Sequence, residues 1–137
     1  MKKIFVDTNV IVDLLADRRP FSKFAIAIFN KAEHKKLNLY TSSHALATTY
    51  YLLKKYIDDK QLRVILYNLL DFLTVISVDT EVIKKSLRSK HKDFEDAIQI
   101  FCTDTVAKMD CIVTRNKKDF RDCELPVLSP DEIFQKI

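Results

Sequence analysis

The chain has 137 residues, 47% of them hydrophobic and 31% charged, a length and balance that predict a globular protein with its own core and exclude a disordered or fibrous one. Glycine is absent, which excludes the glycine-rich loops of dinucleotide-binding and P-loop proteins and hence a nucleotide cofactor of either type, because those loops need a backbone without Cβ to approach phosphate. The net charge of +4 permits a polyanionic partner, no apolar stretch is long enough to span a membrane, and three cysteines without C-x-x-C spacing support neither a disulfide framework nor a zinc site.

Met1-Lys2-Lys3 leads into a strand and not into a secretory leader, so one cytoplasmic domain over residues 1–137 is expected. Lys3 to Val6 is a short β-prone run ending at Asp7, and from Thr8 the apolar positions Val10, Ile11, Leu14 and Leu15 fall at helical spacing. Arg18-Arg19-Pro20 breaks that helix; Phe21 to Lys35 forms the next, with Phe24, Ala25, Ile28, Phe29 and Ala32 on one face. A second strand runs from Leu37 to Thr41. Ser42 or Ser43 caps a helix expected to turn Leu46, Tyr50, Leu53 and Ile57 inward, and Asp58-Asp59 opens another that reaches about Phe72.

Leu73 to Val78 predicts a third strand, followed by a short basic helix capped by Asp79 or Thr80. Asp93 opens a longer helix carrying Phe94, Ala97, Ile98, Phe101, Val106 and Met109. Cys111 to Thr114 is the fourth strand, Pro126 to Ser129 a fifth, and Pro130 stands in the first turn of a last helix. Strands alternating with helices imply βαβ units, hence an α/β fold whose parallel sheet is covered on both faces.

In such a sheet the ligand crevice lies beyond the carboxyl ends of the strands. Asp7 occupies one such end, and Asn116 and Asp119 follow the fourth. The helix starting at Asp93 feeds that strand, so its N-terminus returns to the same edge, bringing Asp93 and Asp96 with their i, i+3 spacing, while Glu95 is expected to point elsewhere. Carboxylates pressed together repel unless a cation neutralises them, and oxygen-only ligation favours Mg²⁺ or Mn²⁺. The same residues also suit helix caps and dipoles; which role holds turns on strand order.

Two basic groups flank these motifs: Lys84, Lys85, Arg88, Lys90, His91 and Lys92, then Arg115, Lys117, Lys118 and Arg121. They are solvated faces or an RNA-binding surface. His44 suits a capping or solvent-facing role.

Val6-Asp7-Thr8-Asn9-Val10, Asp93-Phe94-Glu95-Asp96-Ala97 and Val113-Thr114-Arg115-Asn116-Lys117-Lys118-Asp119-Phe120 together resemble the PIN domain family, in particular the small bacterial members that include VapC-type toxins. The resemblance implies a three-layer α/β/α sandwich with a central parallel sheet of four to five strands, and an acidic pocket using Mg²⁺ or Mn²⁺ to cleave single-stranded RNA. It implies metal ligation by Asp7 and Asp96, orientation of the pocket by the Thr8 hydroxyl, bracing of the first loop by Asn9, pocket support from Thr114, and completion of the late acidic position by Asn116 with Asp119. It also implies an antitoxin that occludes the site, and a homodimer.

Where such members carry a glutamate after the second strand, this chain has Thr48, and Asn116 stands where an aspartate is common. Asp93 is expected to replace part of the missing charge. Two other readings stand beside the ribonuclease: a non-catalytic PIN module that binds RNA or a protein, and a receiver-like domain phosphorylated on aspartate.

Overall fold

The computed structural model describes residues 1–137. Its elements in chain order are β1 (Lys2–Val6), α1 (Thr8–Leu15), α2 (Ser22–Glu33), β2 (Leu37–Ser42), α3 (Ser43–Leu53), α4 (Asp59–Leu69), β3 (Leu73–Ile76), α5 (Thr80–Arg88), α6 (Phe94–Asp104), β4 (Cys111–Val113), a 3₁₀ turn (Lys117–Phe120), β5 (Val127–Leu128) and α7 (Pro130–Phe134). The five strands form one parallel sheet in the order β3-β2-β1-β4-β5. The chain therefore steps outward from β1 to β3, then returns to β1's other side for β4, and the switch point lies between β1 and β4.

Side chains alternate across the sheet as a two-residue period requires. Ile4, Val6, Cys111 and Val113 pack under α1, α2 and α7. Phe5 and Ile112 face the opposite way, into α5, α6 and buried Phe120. Helices thus cover both faces in three layers, as expected. A smaller cluster of Val12, Leu53 and Leu62 joins α1, α3 and α4. Cys102 and Cys111 are buried, and burial pushes both thiols up to about 11. No helix is long and apolar enough to cross a membrane.

Local chemistry sets several boundaries differently from the periodicity. β3 ends at Ile76 and not Val78, because the Val78 amide donates to Ser43 Oγ at 3.0 Å once β2 has run out of strand. α6 stops at Asp104, where Thr105 Oγ1 donates to the Cys102 carbonyl and Lys108 turns at φ 63°; Met109 remains in the core from outside the helix. The buried stripe of α3 is Ala45, Thr49 and Leu53; Leu53 is buried as expected and Tyr50 and Ile57 pack half-buried against it, but Ala45 and Thr49 lie deeper than the expected Leu46 and Tyr50. Thr49 is tolerated inside because its hydroxyl donates to the Ala45 carbonyl at 2.8 Å, whereas the Tyr50 phenol reaches out to Asp59.

Candidate active site

The first carboxylate is set by β1. The Asp7 amide donates to the Val113 carbonyl at 3.0 Å, which carries the β1–β4 pairing one residue beyond the strands and fixes where the Asp7 side chain starts. Its Oδ1 accepts the Thr8 amide at 2.7 Å, capping α1, and its Oδ2 accepts the Thr114 hydroxyl at 2.8 Å. Asn9 Nδ2 bridges Asp7 Oδ2 and Thr114 Oγ1 at 3.4 and 3.3 Å. Thr114, fully buried, also accepts the Asn116 amide at 3.0 Å, so a single hydroxyl joins the ends of β1 and β4. Burial raises the Asp7 carboxyl above the usual aspartate range, the Thr114 and Thr8 bonds oppose this, and the Asp119 charge adds to it.

The second carboxylate comes from the first turn of α6. Asp93 caps that helix by accepting the Asp96 amide at 3.0 Å. The Asp96 carboxyl is pushed up to about 7, first by burial and then by the charges of Asp93, Asp119, Asp7 and Glu95. Four acidic groups from three chain segments therefore act on one carboxyl; Asp7, Asp93 and Asp119 are those that strand order and helix direction predict, and Glu95 is an addition.

A cleft of about 240 Å³ opens between these elements, lined among others by Asp7, Thr8, Asn9, Thr48, Asp96 and Asn116. Asp93 and Asp119 do not line it. They border an adjoining hollow of about 180 Å³, which shares Asp96 with the cleft and is otherwise walled by Lys90, His91, Lys92, Lys118, Arg121 and Asp122. The structure thus does not bring Asp93 beside Thr48. Glu95, expected to point elsewhere, lines the cleft, its carboxylate 3.6 Å from His44 Nε2. The cleft-facing stripe of α6 is 95, 96 and 99, because the capping residue 93 is outside the helical phase.

The basic residues separate by partner. Arg115 turns away from the hollow and grips Asp13 with two bonds of 2.6 and 3.0 Å, its guanidinium stacked 4.1 Å from the Phe21 ring. Lys117 is paired with Glu132 at 2.7 Å. Lys84, Lys85 and Arg88 are exposed on α5 and line neither hollow. Of the expected RNA-binding residues, Lys92 and Lys118 border the acidic site.

The donors present suit a hard cation. No three carboxylate, imidazole or thiolate groups come close enough for a ready-made cage. The Asp7 and Asp96 carboxylates and the Asn116 amide on the open cleft instead suit a hard divalent cation that retains water and takes few protein ligands. The raised Asp96 carboxyl is the electrostatic counterpart: negative charge stands here without a neutralising partner.

The profile of the PIN domain matches residues 3–118. The chain belongs to the PIN domain family. Ribonuclease VapC1 of Aquifex aeolicus (strain VF5) is 29% identical over 141 residues, covering 98% of this chain and 95% of that protein. Among solved structures, FitAcB from Neisseria gonorrhoeae superposes with a TM-score of 0.68 at 17% identity, covering 93% of this PIN domain and 97% of that chain. A toxin-antitoxin complex from Klebsiella pneumoniae matches with a TM-score of 0.65 at 24% identity, covering 93% and 97%. At such identities these two structures speak for the PIN fold alone.

Four residues of the PIN site escape motif reading. Arg18, Glu95 and Gln99 line the cleft, and Asp13 anchors Arg115. The i, i+3 step from Asp96 to Gln99 is a signal for one of them. Arg18 depends on how the chain leaves α1, and Asp13 on a partner 102 positions away.

Proposed function

We propose that this PIN domain is a Mg²⁺- or Mn²⁺-dependent endoribonuclease acting in the cytoplasm as one domain, and the toxin of a toxin–antitoxin pair. The observation that carries the reading is the cluster around Asp96: a carboxyl pushed up to about 7 by burial and then by its acidic neighbours, sharing a cleft with Asp7 and Asn116. Asp7, Asp96 and the Asn116 amide oxygen are the residues to hold the ion. When bound, such an ion acidifies a water and offsets charge on a phosphodiester. Thr114 and Asn9 keep Asp7 aimed at the cleft, and Thr8 shapes its mouth. Asp119 and Asp93 add negative field from the adjoining hollow, while Lys92 and Lys118 offer contacts to flanking RNA phosphates.

The toxin assignment is supported by the likeness to Ribonuclease VapC1. An antitoxin and a homodimer are the partners it brings. Exposed Tyr51, Tyr56, Val64 and Tyr67 on and beside α3 and α4 offer apolar surface for either. A co-expressed neighbouring reading frame that co-purifies with the chain and blocks cleavage tests that part.

The direct test is cleavage of single-stranded RNA by the purified chain in Mg²⁺ or Mn²⁺. Activity is expected in the wild type, with loss in Asp7→Asn and in Asp96→Asn. Equal cleavage by the double variant sinks the reading. Thr48 on the cleft wall favours a second reading, a non-catalytic module that binds RNA without cutting it. Salt-dependent RNA binding with no turnover under any divalent ion selects that one.

A further inference from the structure

Gln99 lies on α6 one turn beyond Asp96 and is only 3% exposed, yet it reaches the cleft. Its carboxamide oxygen accepts a 2.6 Å bond from Ser42 Oγ. The Ser42 oxygen in turn accepts the Ala45 amide at 2.9 Å, the capping bond of α3, so its own proton is directed at Gln99. This fixes which way the carboxamide faces: oxygen toward α3, nitrogen toward the cleft. The nitrogen has no hydrogen-bond partner within the chain, although Asp7, Asp96 and Glu95 share the same cleft.

The nitrogen is open to the cleft, so this donor, held in place by an otherwise buried side chain, is free to bond a ligand there. His44 Nε2, in the same cleft, is buried without a hydrogen-bond partner, with the Glu95 carboxylate 3.6 Å away. The cleft therefore offers nitrogen-bearing groups at Gln99 and His44 beside the carboxylates of Asp7, Asp96 and Glu95. A ligand that satisfies both sets of groups carries acceptor oxygens and tolerates a cation. A phosphodiester has that character.

We propose that the Gln99 amide donates to a non-bridging oxygen of a phosphodiester in the cleft, which makes it a substrate-binding residue held in place by Ser42. The proposal rests on the RNA reading above and specifies how the strand is seated. It separates two tasks in the site: Asp7 and Asp96 attract the ion, and Gln99 recognises the phosphate directly.

The test is binding of fluorescein-labelled single-stranded RNA, followed by anisotropy, to the full chain carrying Asp7→Asn in EDTA, where metal-dependent cleavage is absent. Gln99→Met, close in shape and uncharged, is expected to weaken binding about tenfold, as for loss of one hydrogen bond to a charged group. Gln99→Glu keeps an acceptor for Ser42 and so retains the fold, but replaces the donor with a carboxylate oxygen; it is expected to weaken binding at least as much. Thermal unfolding checks that each variant is folded. RNA binding equal to the parent in either folded variant overturns the proposal while leaving the ribonuclease reading intact. No RNA binding by the parent, in both the Asp7→Asn and Asp96→Asn backgrounds, removes the reading and the proposal together.

Discussion

Arg115 and Asp13 form a paired fork inside the domain: the carboxylate is 1% exposed, and the two bonds measure 2.6 and 3.0 Å. The pair ties the loop after β4 to α1, and Asn9 on the same helix accepts the Arg115 amide at 3.3 Å. Removing one partner of such a pair leaves an uncompensated buried charge. Arg115→Ala is therefore expected to destabilise the protein by about 3–5 kcal/mol, lowering the melting temperature by roughly 10 °C or more. Adding Asp13→Ala should restore part of that loss by removing the stranded carboxylate. Urea unfolding of the two single variants and the double variant measures it; additive losses would show that the pair is not coupled.

The Asp96 carboxyl has a clear pH signature. Its folded value near 7 lies above the ordinary value of 3.8, so between these values the folded state binds more protons than the unfolded one. This contribution to stability is fully present below about 3.8 and is lost as pH rises through 7. Metal-free protein should accordingly lose stability from pH 5.5 to pH 8 relative to Asp96→Asn, by an amount reduced by solvent screening. Mn²⁺ competes with the same proton, so its affinity should rise over that interval. Calorimetric titration at both pH values checks this, and a pH-independent affinity would contradict the raised carboxyl.

Much of this site was legible in the sequence, and the limits are physical. The meeting of Asp7 with Asp96 follows from two local facts, a strand ending at Asp7 and a helix starting after Asp93, once the sheet is parallel. Periodicity also places the core of α2 correctly. In α3 it finds Leu53 but misses Thr49, because hydropathy cannot anticipate that Thr49 satisfies its hydroxyl on its own helix while the Tyr50 phenol seeks Asp59. Charge patterning groups Arg115 and Lys117 with Lys118, yet the first two are spoken for by Asp13 and Glu132, acidic residues distant in sequence. Glu95 and Gln99 fall to the cleft only when the rotation of α6 about its axis is known.

That division of the basic residues predicts a salt dependence. Lys92 and Lys118 border the hollow that shares Asp96 with the cleft, whereas Lys117 is held by Glu132. Lys92→Ala and Lys118→Ala should each reduce the slope of log affinity for single-stranded RNA against log salt by about 0.7. Lys117→Ala should leave the slope unchanged. Anisotropy titrations across a salt series distinguish the two, and an equal reduction in all three variants would make the effect one of net charge alone.

Thr114 joins the two strand ends through one hydroxyl that donates to Asp7 and accepts from Asn9 and from the Asn116 amide. Thr114→Val preserves its shape but leaves buried polar groups without partners. A loss of about 1–3 kcal/mol in unfolding free energy is expected. The Asp7 carboxyl should rise further once the bond that lowers it is gone, so Mn²⁺ affinity at pH 6 should fall more than at pH 8. An Mn²⁺ affinity unchanged at both values would separate Thr114 from the function of Asp7.

Thr48 lines the cleft with Asp7 and Asp96 but brings no charge, and Asp93, the expected replacement, is occupied as the cap of α6 on the far side of Asp96. Thr48→Glu adds a carboxylate to those of Asp7, Asp96 and Glu95 in the cleft. Without metal, the new charge repels its neighbours and should lower the melting temperature in EDTA. With metal, the added ligand charge should tighten Mn²⁺ binding by about tenfold, so the ion should stabilise this variant more than the wild type. The opposite signs of the two effects separate ligation from a change in packing, which would shift both measurements in one direction. Equal Mn²⁺ affinity in variant and wild type would mean that residue 48 lies outside the reach of the ion, and that the cation is held by Asp7, Asp96 and Asn116 alone.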